Sequence, residues 1–511
     1  MALGLIGLDC GTQSIRALLI DAGGRTLALA TRPTPTIARA SDQAEHAPEV
    51  LWETVLALLS EIAEAAPGME IAGIACASMG EACVLLDAAD RPLGNAITWF
   101  DRRSEPDAAM LAATIGAERL FAITGMPVDP TLTLCKLLWH RRTDPVHFAR
   151  VRRVLNLADY IAFRLTGAAA TDRSLASRTL LLDIAAGDWS VELAGRVGID
   201  PRLLPPLRPS GASLGPVRAA VLTATGIAGR PVVGVGGHDH VVGGFAAGAA
   251  RPGILLDSIG TAEALLQTVD RPVLTAASSA RGFWQGTVAL DRPFAYVGAG
   301  LNRAGGAIEW LAALLGAPKR EALLAAAAAV PIGSRGVLFL PHLAYATAPV
   351  VDPAARGAFL GLTAATDAAA LFRALLEGLA MEARLAVDAL AALPGAGAAE
   401  EIRVIGGGAR NALLLAIKAA CYARPLSVIE VPEATALGAA LLGGIAARLW
   451  PDMPAALAAL RLPARAVEPD PGAVDAYAGL FTDIYRRVYP TLRPLNHALA
   501  AFDAAAAGGS E

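Results

Sequence analysis

The first stretch of this chain able to do chemistry is a carboxylate followed by a small polar loop, Asp9-Cys10-Gly11-Thr12-Gln13-Ser14. Its glycine and two hydroxyl residues can turn several backbone N–H groups toward an anion, and Asp9 can serve a magnesium ion that accompanies phosphate. The ordinary alternative is a decorated hairpin turn. Asp239 is the second candidate. It sits in Gly236-Gly237-His238-Asp239-His240, where an apolar strand stops and a Gly/Ala-rich helix begins. There an aspartate either caps the helix or acts as a general base, with the glycines allowing close substrate approach. The flanking histidines have no third ligand at a telling spacing, so no metal site is expected of them.

Two further groups suit a polyhydroxylated ligand. Glu81 lies just beyond the apolar run Ile71 to Cys76, and open α/β sheets bind ligands beyond strand C-termini. A solvated loop glutamate is the alternative. Trp99-Phe100-Asp101-Arg102-Arg103 offers a ring as a wall and charged groups as hydroxyl partners, or else a surface ion-pair cluster around one buried tryptophan. Late in the chain, Gly406-Gly407-Gly408 follows a short strand and opens a helix from about Arg410 to Ala423. Such a turn lets backbone lie flat against a ligand and points free helix N–H groups at an anion. It is a poor dinucleotide loop, because Asn411 stands where a third glycine belongs. An NAD(P)-linked oxidoreductase is therefore disfavoured.

These residues need elements to position them. Leu3 to Leu8, Arg16 to Asp21 and Arg25 to Thr31 read as a β-meander, with a turn at Asp21 to Gly24. Pro48 to Ala66 reads as a helix with proline at its first position and an apolar face. Lys136 to His140 continues a helix whose leucines and tryptophan suit a core. Ile254 to Ile259, the turn Gly260-Thr261 and Ala264 to Val269 repeat the opening hairpin about 250 residues on. That repeat predicts two similar domains, 1–250 and 251–511, each offering one phosphate-facing hairpin. Residues 301 to 316 and 367 to 391 read as helices, Leu426 to Ile429 as a strand and Ala434 to Ala447 as a helix. The closing AAAAGGSE is expected to fray.

Composition bounds the function. The 511 residues are 54% apolar and 18% charged, ample for a large core. A net charge of −4 gives no electrostatic case for nucleic acid or an anionic membrane. Five scattered cysteines without a CxxC argue against zinc and against a disulfide framework, and suit a reducing cytosol. No charge-free run reaches membrane-spanning length. The expected location is the cytoplasm.

Taken in order, the motifs resemble the FGGY carbohydrate kinases. The resemblance covers nearly the whole chain: GLDCGTQSIRALLID, the W-x-D-x-R segment from Trp99 to Arg103, K-L-x-W at Lys136 to Trp139, and TDRSLASRTLLLDI after residue 170. It continues through the G-x-D segment at Asp239, SIGTAEA, and IGGGARN followed by EATALGAA. It implies an α/β fold of two ribonuclease-H-like domains of the actin and sugar-kinase superfamily, flanking a catalytic cleft. The first domain would bind sugar and the second nucleotide. It also implies ATP and magnesium as cofactors, with Asp9 holding the metal through water. Gly11, Thr12 and Gln13 would contact the transferring phosphate, and Arg16 would lie near the reacting centre. Gly260 and Thr261 would form the second phosphate loop, while Gly406, Gly407, Gly408, Ala409 and Asn411 would line the adenosine pocket, supported by Glu433 to Ala439. Asp239 would be the catalytic base, and Glu81, Trp99, Asp101 and Arg103 would line the substrate pocket.

Three departures stand out: Ala262-Glu263 where the family has small residues, Thr131 and His140 around K-L-x-W, and the His238/His240 pair. A glutamate beside a phosphate loop is unfavourable unless it points away. Glu81 matches a glutamate in glycerol kinases and a histidine in xylulokinases. The expected reaction is ATP-dependent phosphorylation of a ketose, pentose-sized or smaller, or of a polyol, with neither nucleic acid nor membrane as partner and a homodimer left open. The competing reading is a non-catalytic nucleotide-binding sensor or assembly protein of the same superfamily.

Overall fold

The computed structural model describes residues 3–40, 43–288, 294–316, 320–460 and 463–508. Two sheets organise them. The first has six strands in the order Ser213–Pro216, Gly229–His238, Glu70–Ser78, Leu3–Cys10, Ser14–Asp21 and Thr26–Pro33. The opening three form the expected meander, and Leu3–Cys10, Glu70–Ser78 and Gly229–His238 run parallel. The second sheet repeats the plan. Ile254–Ile259 pairs antiparallel with Glu263–Val269, which pairs with Ala295–Leu301. On its other side Ile254–Ile259 runs parallel to Glu401–Ile405, and that strand to Leu426–Ile429. The edge strands Trp284–Thr287 and Ala464–Val467 complete seven.

The strands at the centre of each sheet are apolar along nearly their whole length because both faces are covered. Helix Pro48–Ala65 begins on a proline and buries Leu51, Trp52, Val55, Leu58, Leu59 and Ile62 against the first sheet. Helix Ala368–Ala391 is capped by Asp367, whose side chain accepts from the Ala370 N–H, and lays its apolar face into the second core. Residues 79–212 are an excursion between Glu70–Ser78 and Ser213–Pro216 of the first sheet, with a core of their own around Leu111, Leu120, Leu134, Leu137 and Leu181.

Helix Ala434–Ala446 belongs by sequence to the second half yet packs across the first sheet. A Cβ on Gly7 would lie 1.8 Å from the Ala436 carbonyl oxygen, and one on Gly73 would lie 2.0 Å from that of Gly443. Only glycine on the strands lets helix and sheet backbones come this close. A third core, including Leu5, Leu18, Phe245, Leu256, Leu266 and Leu441, joins the two halves.

Most expected elements are present within a residue or two. The helix after the triple glycine starts at Ala412 rather than Arg410, because a 3₁₀ turn over Gly407–Arg410 comes first. The reading of 301 to 316 as helix narrows to Ala304–Leu314, Leu301 being the end of a strand. Where a frayed tail was expected, helix Arg486–Gly508 runs on; residues 509–511 lie outside the described residues.

Candidate active site

A cavity of about 190 Å³ opens where the two sheets meet, and Thr12, Glu81, Trp99 and Asp239 all line it. The rest of its wall comes from Met79, Gly80, Arg178, His238 and His240, with Ala264, Leu266, Trp284 and Tyr296 from the second half.

Asp9 is the last residue but one of the buried strand Leu3–Cys10, paired in register with Arg16 on the neighbouring strand. Its carboxylate is 6% exposed, and burial pushes its pKa from 3.8 to about 7; the nearby Asp239 and Glu433 carboxylates push the same way and Arg16 opposes them. Arg16 is shared: its guanidinium lies 3.5 Å from Asp9 and 3.0 Å from Glu433. Three carboxylates around one arginine leave the corner short of positive charge. Among the described residues, no three acidic, histidine or cysteine side chains converge tightly enough to chelate an ion. The Asp9 carboxylate is the donor present at this corner, and magnesium keeps several waters and is held by one or two carboxylates together with substrate phosphates, so the residues fit that ion.

The Gly11 N–H donates to the Ser14 carbonyl at 3.1 Å, closing the loop on itself, while Gln13 is exposed and accepts through its carbonyl from the Thr34 N–H. The Thr12 hydroxyl accepts a 2.8 Å hydrogen bond from the Trp99 indole N–H, tying the loop to the substrate wall. Asp239 is the first residue of helix Asp239–Ala246, with His238 at the N-cap position and no side-chain cap bond. The Asp239 side chain is 23% exposed, at the cavity, and the His238 Nε2 stands 3.3 Å from its Oδ1. Burial, with Arg178 and His240 adding to it, pulls the His238 pKa down to about 3, so its ring is neutral.

Glu81 is held at φ 60°, a left-handed conformation rare outside glycine, so its position is enforced by its surroundings. Fully buried Lys136 supplies the enforcement: its ammonium donates to the carbonyls of Glu81 at 3.0 Å and Thr98 at 2.8 Å, so one side chain anchors the backbone at Glu81 and next to Trp99. Burial lowers the Lys136 pKa to about 8. Asp101 and Arg103 do not reach the cavity. Asp101 is fully buried, accepts from the Ala44 N–H and pairs with Arg103, which also binds Glu45 at 2.8 Å.

In the second half, the Gly260 N–H donates to the Ala262 carbonyl, and the Gly260 and Thr261 carbonyls accept from Gly305 and Gly306. Glu263 points away from this turn into the core, where Lys418 lies 2.8 Å from it and 2.5 Å from Asp257. Gly406 and Gly408 lie flat against the strand end that leads into the same turn; a Cβ on either would fall within 2.6 Å of Ile259. Gly407 is exposed and Ala409 half-buried, and the Asn411 side chain caps helix Ala412–Tyr422 by accepting from the Leu414 N–H.

Sequence reasoning missed Arg178, Trp284 and Tyr296. Arg178 lay inside a quoted motif, but its partner Glu81 is 97 residues away. Trp284 and Tyr296 come from strands that carry no local motif.

The comparisons with known proteins bear on this geometry. The family model described as "FGGY family of carbohydrate kinases, N-terminal domain" matches residues 4–246, and its C-terminal counterpart matches 255–447. The chain belongs to the FGGY family of carbohydrate kinases. It is 34% identical to a glycerol kinase of Gloeobacter violaceus over 465 residues, covering 88% of this chain and 89% of the relative. It is 28% identical to a xylulose kinase of Bacillus subtilis over 502 residues, covering 98% and 99%. Among solved structures, a xylulose kinase from Rhodospirillum rubrum superposes with a TM-score of 0.87 at 30% identity, covering 97% of this chain and all of that one. A gluconate kinase from Lactobacillus acidophilus gives 0.89 at 25%, covering 96% and 98%. Family membership makes the protein a phosphotransferase that phosphorylates a sugar or polyol at the expense of ATP, with the two-domain fold described above. It displaces the oxidoreductase and non-catalytic readings. No helix among the described residues is long and apolar enough to cross a membrane.

Proposed function

We propose that the acceptor is a small polyol or a ketose of five carbons or fewer, and that Asp239 is the general base. The observation that carries this reading is the convergence of Asp239, Glu81 and Trp99 on one cavity of about 190 Å³. That is below the roughly 300–1,000 Å³ of drug-sized pockets. Its walls alternate rings with polar groups, which suits carbon chains bearing hydroxyls.

In the proposed mechanism, residues 1–250 supply most of the acceptor's wall, closed by Ala264, Leu266, Trp284 and Tyr296, and 251–511 hold the nucleotide. The Asp239 carboxylate takes the proton from the acceptor hydroxyl as its oxygen attacks the γ-phosphorus in line, and ADP departs. Positioning and charge neutralisation supply most of the acceleration in such transfers. Thr12 and the Gly260-Thr261 turn approach the phosphates from opposite sheets, and Gly406 to Asn411 form the adenosine wall. Asp9, with Glu433 and Asp239 beside it, would hold magnesium through its waters; the ion would offset negative charge on the phosphates. Arg16 bridges the Asp9 and Glu433 carboxylates and adds positive charge near the transfer. The two halves share a core, and closure about it would expel water and limit wasteful hydrolysis. A coupled ADP-release assay over glycerol, erythritol, xylitol, D-xylulose and larger aldoses tests this reading. It expects turnover on one of the small compounds well above the ATP-only rate; none above that rate would remove it.

A further inference from the structure

We propose that Arg178 sets the charge selectivity of the cavity: with Glu81 it forms a neutralised pair that admits uncharged polyols and ketoses and turns away sugar acids. The inference rests on the cavity being the acceptor site.

Arg178 sits in the 3₁₀ turn Ser177–Thr179 of the excursion, and its guanidinium is turned onto Glu81. Nε donates to Glu81 Oε1 at 2.5 Å and Nη2 meets the same oxygen. Nη1 faces the Met126 sulfur at 3.6 Å, and Tyr296 from the opposite half lines the same cavity. Glu81 and Tyr296 hold the guanidinium firmly protonated despite its burial. The pair is built in. Glu81 is pinned by its backbone conformation and by Lys136. Gly80 leaves room for it, since a Cβ there would lie 2.9 Å from Arg178 Cγ and 3.1 Å from the His238 ring.

Recognition of a carboxylate needs a guanidinium with a free fork. Among the described residues, no other arginine and no lysine lines the cavity. Lys136 is spent on the carbonyls of Glu81 and Thr98, and Arg16 is shared between Asp9 and Glu433. Among the described residues, a carboxylate entering here would meet Glu81 and Asp239 and, in Arg178, a cation already paired; burying an unpaired charge is costly. A neutral hydroxyl can use the remaining lone pairs of Glu81.

The test compares kcat/KM for each neutral compound with that for its acid of equal length: glycerol with glycerate, erythritol with erythronate, xylitol with xylonate. The wild type is expected to favour the neutral member at least about 100-fold. Glu81→Gln frees the Arg178 fork and is expected to narrow that ratio at least tenfold, through a gain on the acid as well as a loss on the polyol. Circular dichroism confirms that the variant is folded; if it is not, the wild-type ratio decides alone. A wild type that uses an acid within tenfold of its polyol overturns the proposal, as does a folded Glu81→Gln with an unmoved ratio. Turnover of neutral compounds with either of those results overturns this inference alone. Turnover of no neutral compound removes the functional reading and this inference together.

Discussion

Cys10-Gly11-Thr12 and Ile259-Gly260-Thr261 turn the chain between the first two strands of their respective sheets, and the residue before each trio differs: Asp9 in one, Ser258 in the other. In the first hairpin the acid stays beside the cleft, shares one arginine with Glu433, and has its pKa pushed up to about 7. In the second, the acids Asp257 and Glu263 turn into the core and share Lys418, all three at most 1% exposed at their side chains. One copy of the motif keeps an unbalanced charge where a cation and phosphates would meet it. The other balances its charge out of reach and presents backbone. Damage to the first sheet should therefore appear in the rate, and damage to the second in stability.

The largest effect is expected at Asp239 on the first side. Asp239→Asn should lower kcat by about 10²–10⁴-fold in the coupled assay while calorimetry still finds ATP binding. Near-normal turnover would take the base away from this residue. On the other side, Lys418→Met leaves two carboxylates buried without a cation and should cost about 3–5 kcal/mol in denaturant unfolding. The triple change Asp257→Asn, Glu263→Gln, Lys418→Met should recover most of that loss. If Lys418→Met instead melts like the wild type, the balanced-core account is wrong.

Asp9 joins rate to stability. Its folded pKa is raised, so between about pH 4 and pH 7 the folded protein keeps a proton that the unfolded chain has released. Stability from this group is intact below about pH 4 and lost as pH rises through about 7, at roughly 1.4 kcal/mol per pH unit at most. Asp9→Asn should melt higher than the wild type at pH 8, melt the same near pH 3.5, and be nearly inactive. Magnesium should raise the melting temperature of the wild type at pH 8 and leave that of Asp9→Asn unmoved. An equal shift in both would place the ion elsewhere. The smallest effect is at the link between loop and wall. Trp99→Phe keeps the ring and loses the 2.8 Å bond to Thr12, which is worth about 0.5–1.5 kcal/mol, so KM for the acceptor should rise roughly 2- to 10-fold.

The repeated hairpins, the parallel strands and the glycine turns were legible because each is a local pattern: alternation, turn chemistry, a strand that stops on glycine. That Asp239 and Glu81 line one cavity was legible because both follow strand ends. The direction of Glu263 was not, since it depends on Lys418, 155 residues later. Asp101 and Arg103 look like ligand partners in sequence, but only the fold brings Glu45 and the Ala44 N–H to them and closes the pair. The role of Lys136 was hidden for the same reason: its acceptors are carbonyl groups, which any residue carries.

Helix Ala434–Ala446 has one more consequence. Its first turn meets the catalytic side, with the Thr435 hydroxyl bonded to the Asp239 carbonyl at 3.4 Å, and its length fills a slot that Gly7 and Gly73 keep open in the other half. A gene cut near residue 250 would therefore yield an N-terminal fragment missing a slat of its own interior. The N-terminal fragment would lack part of its own core. Co-expressed, the two fragments would have a ready-made way to find each other, which makes this chain a natural starting point for a split reporter.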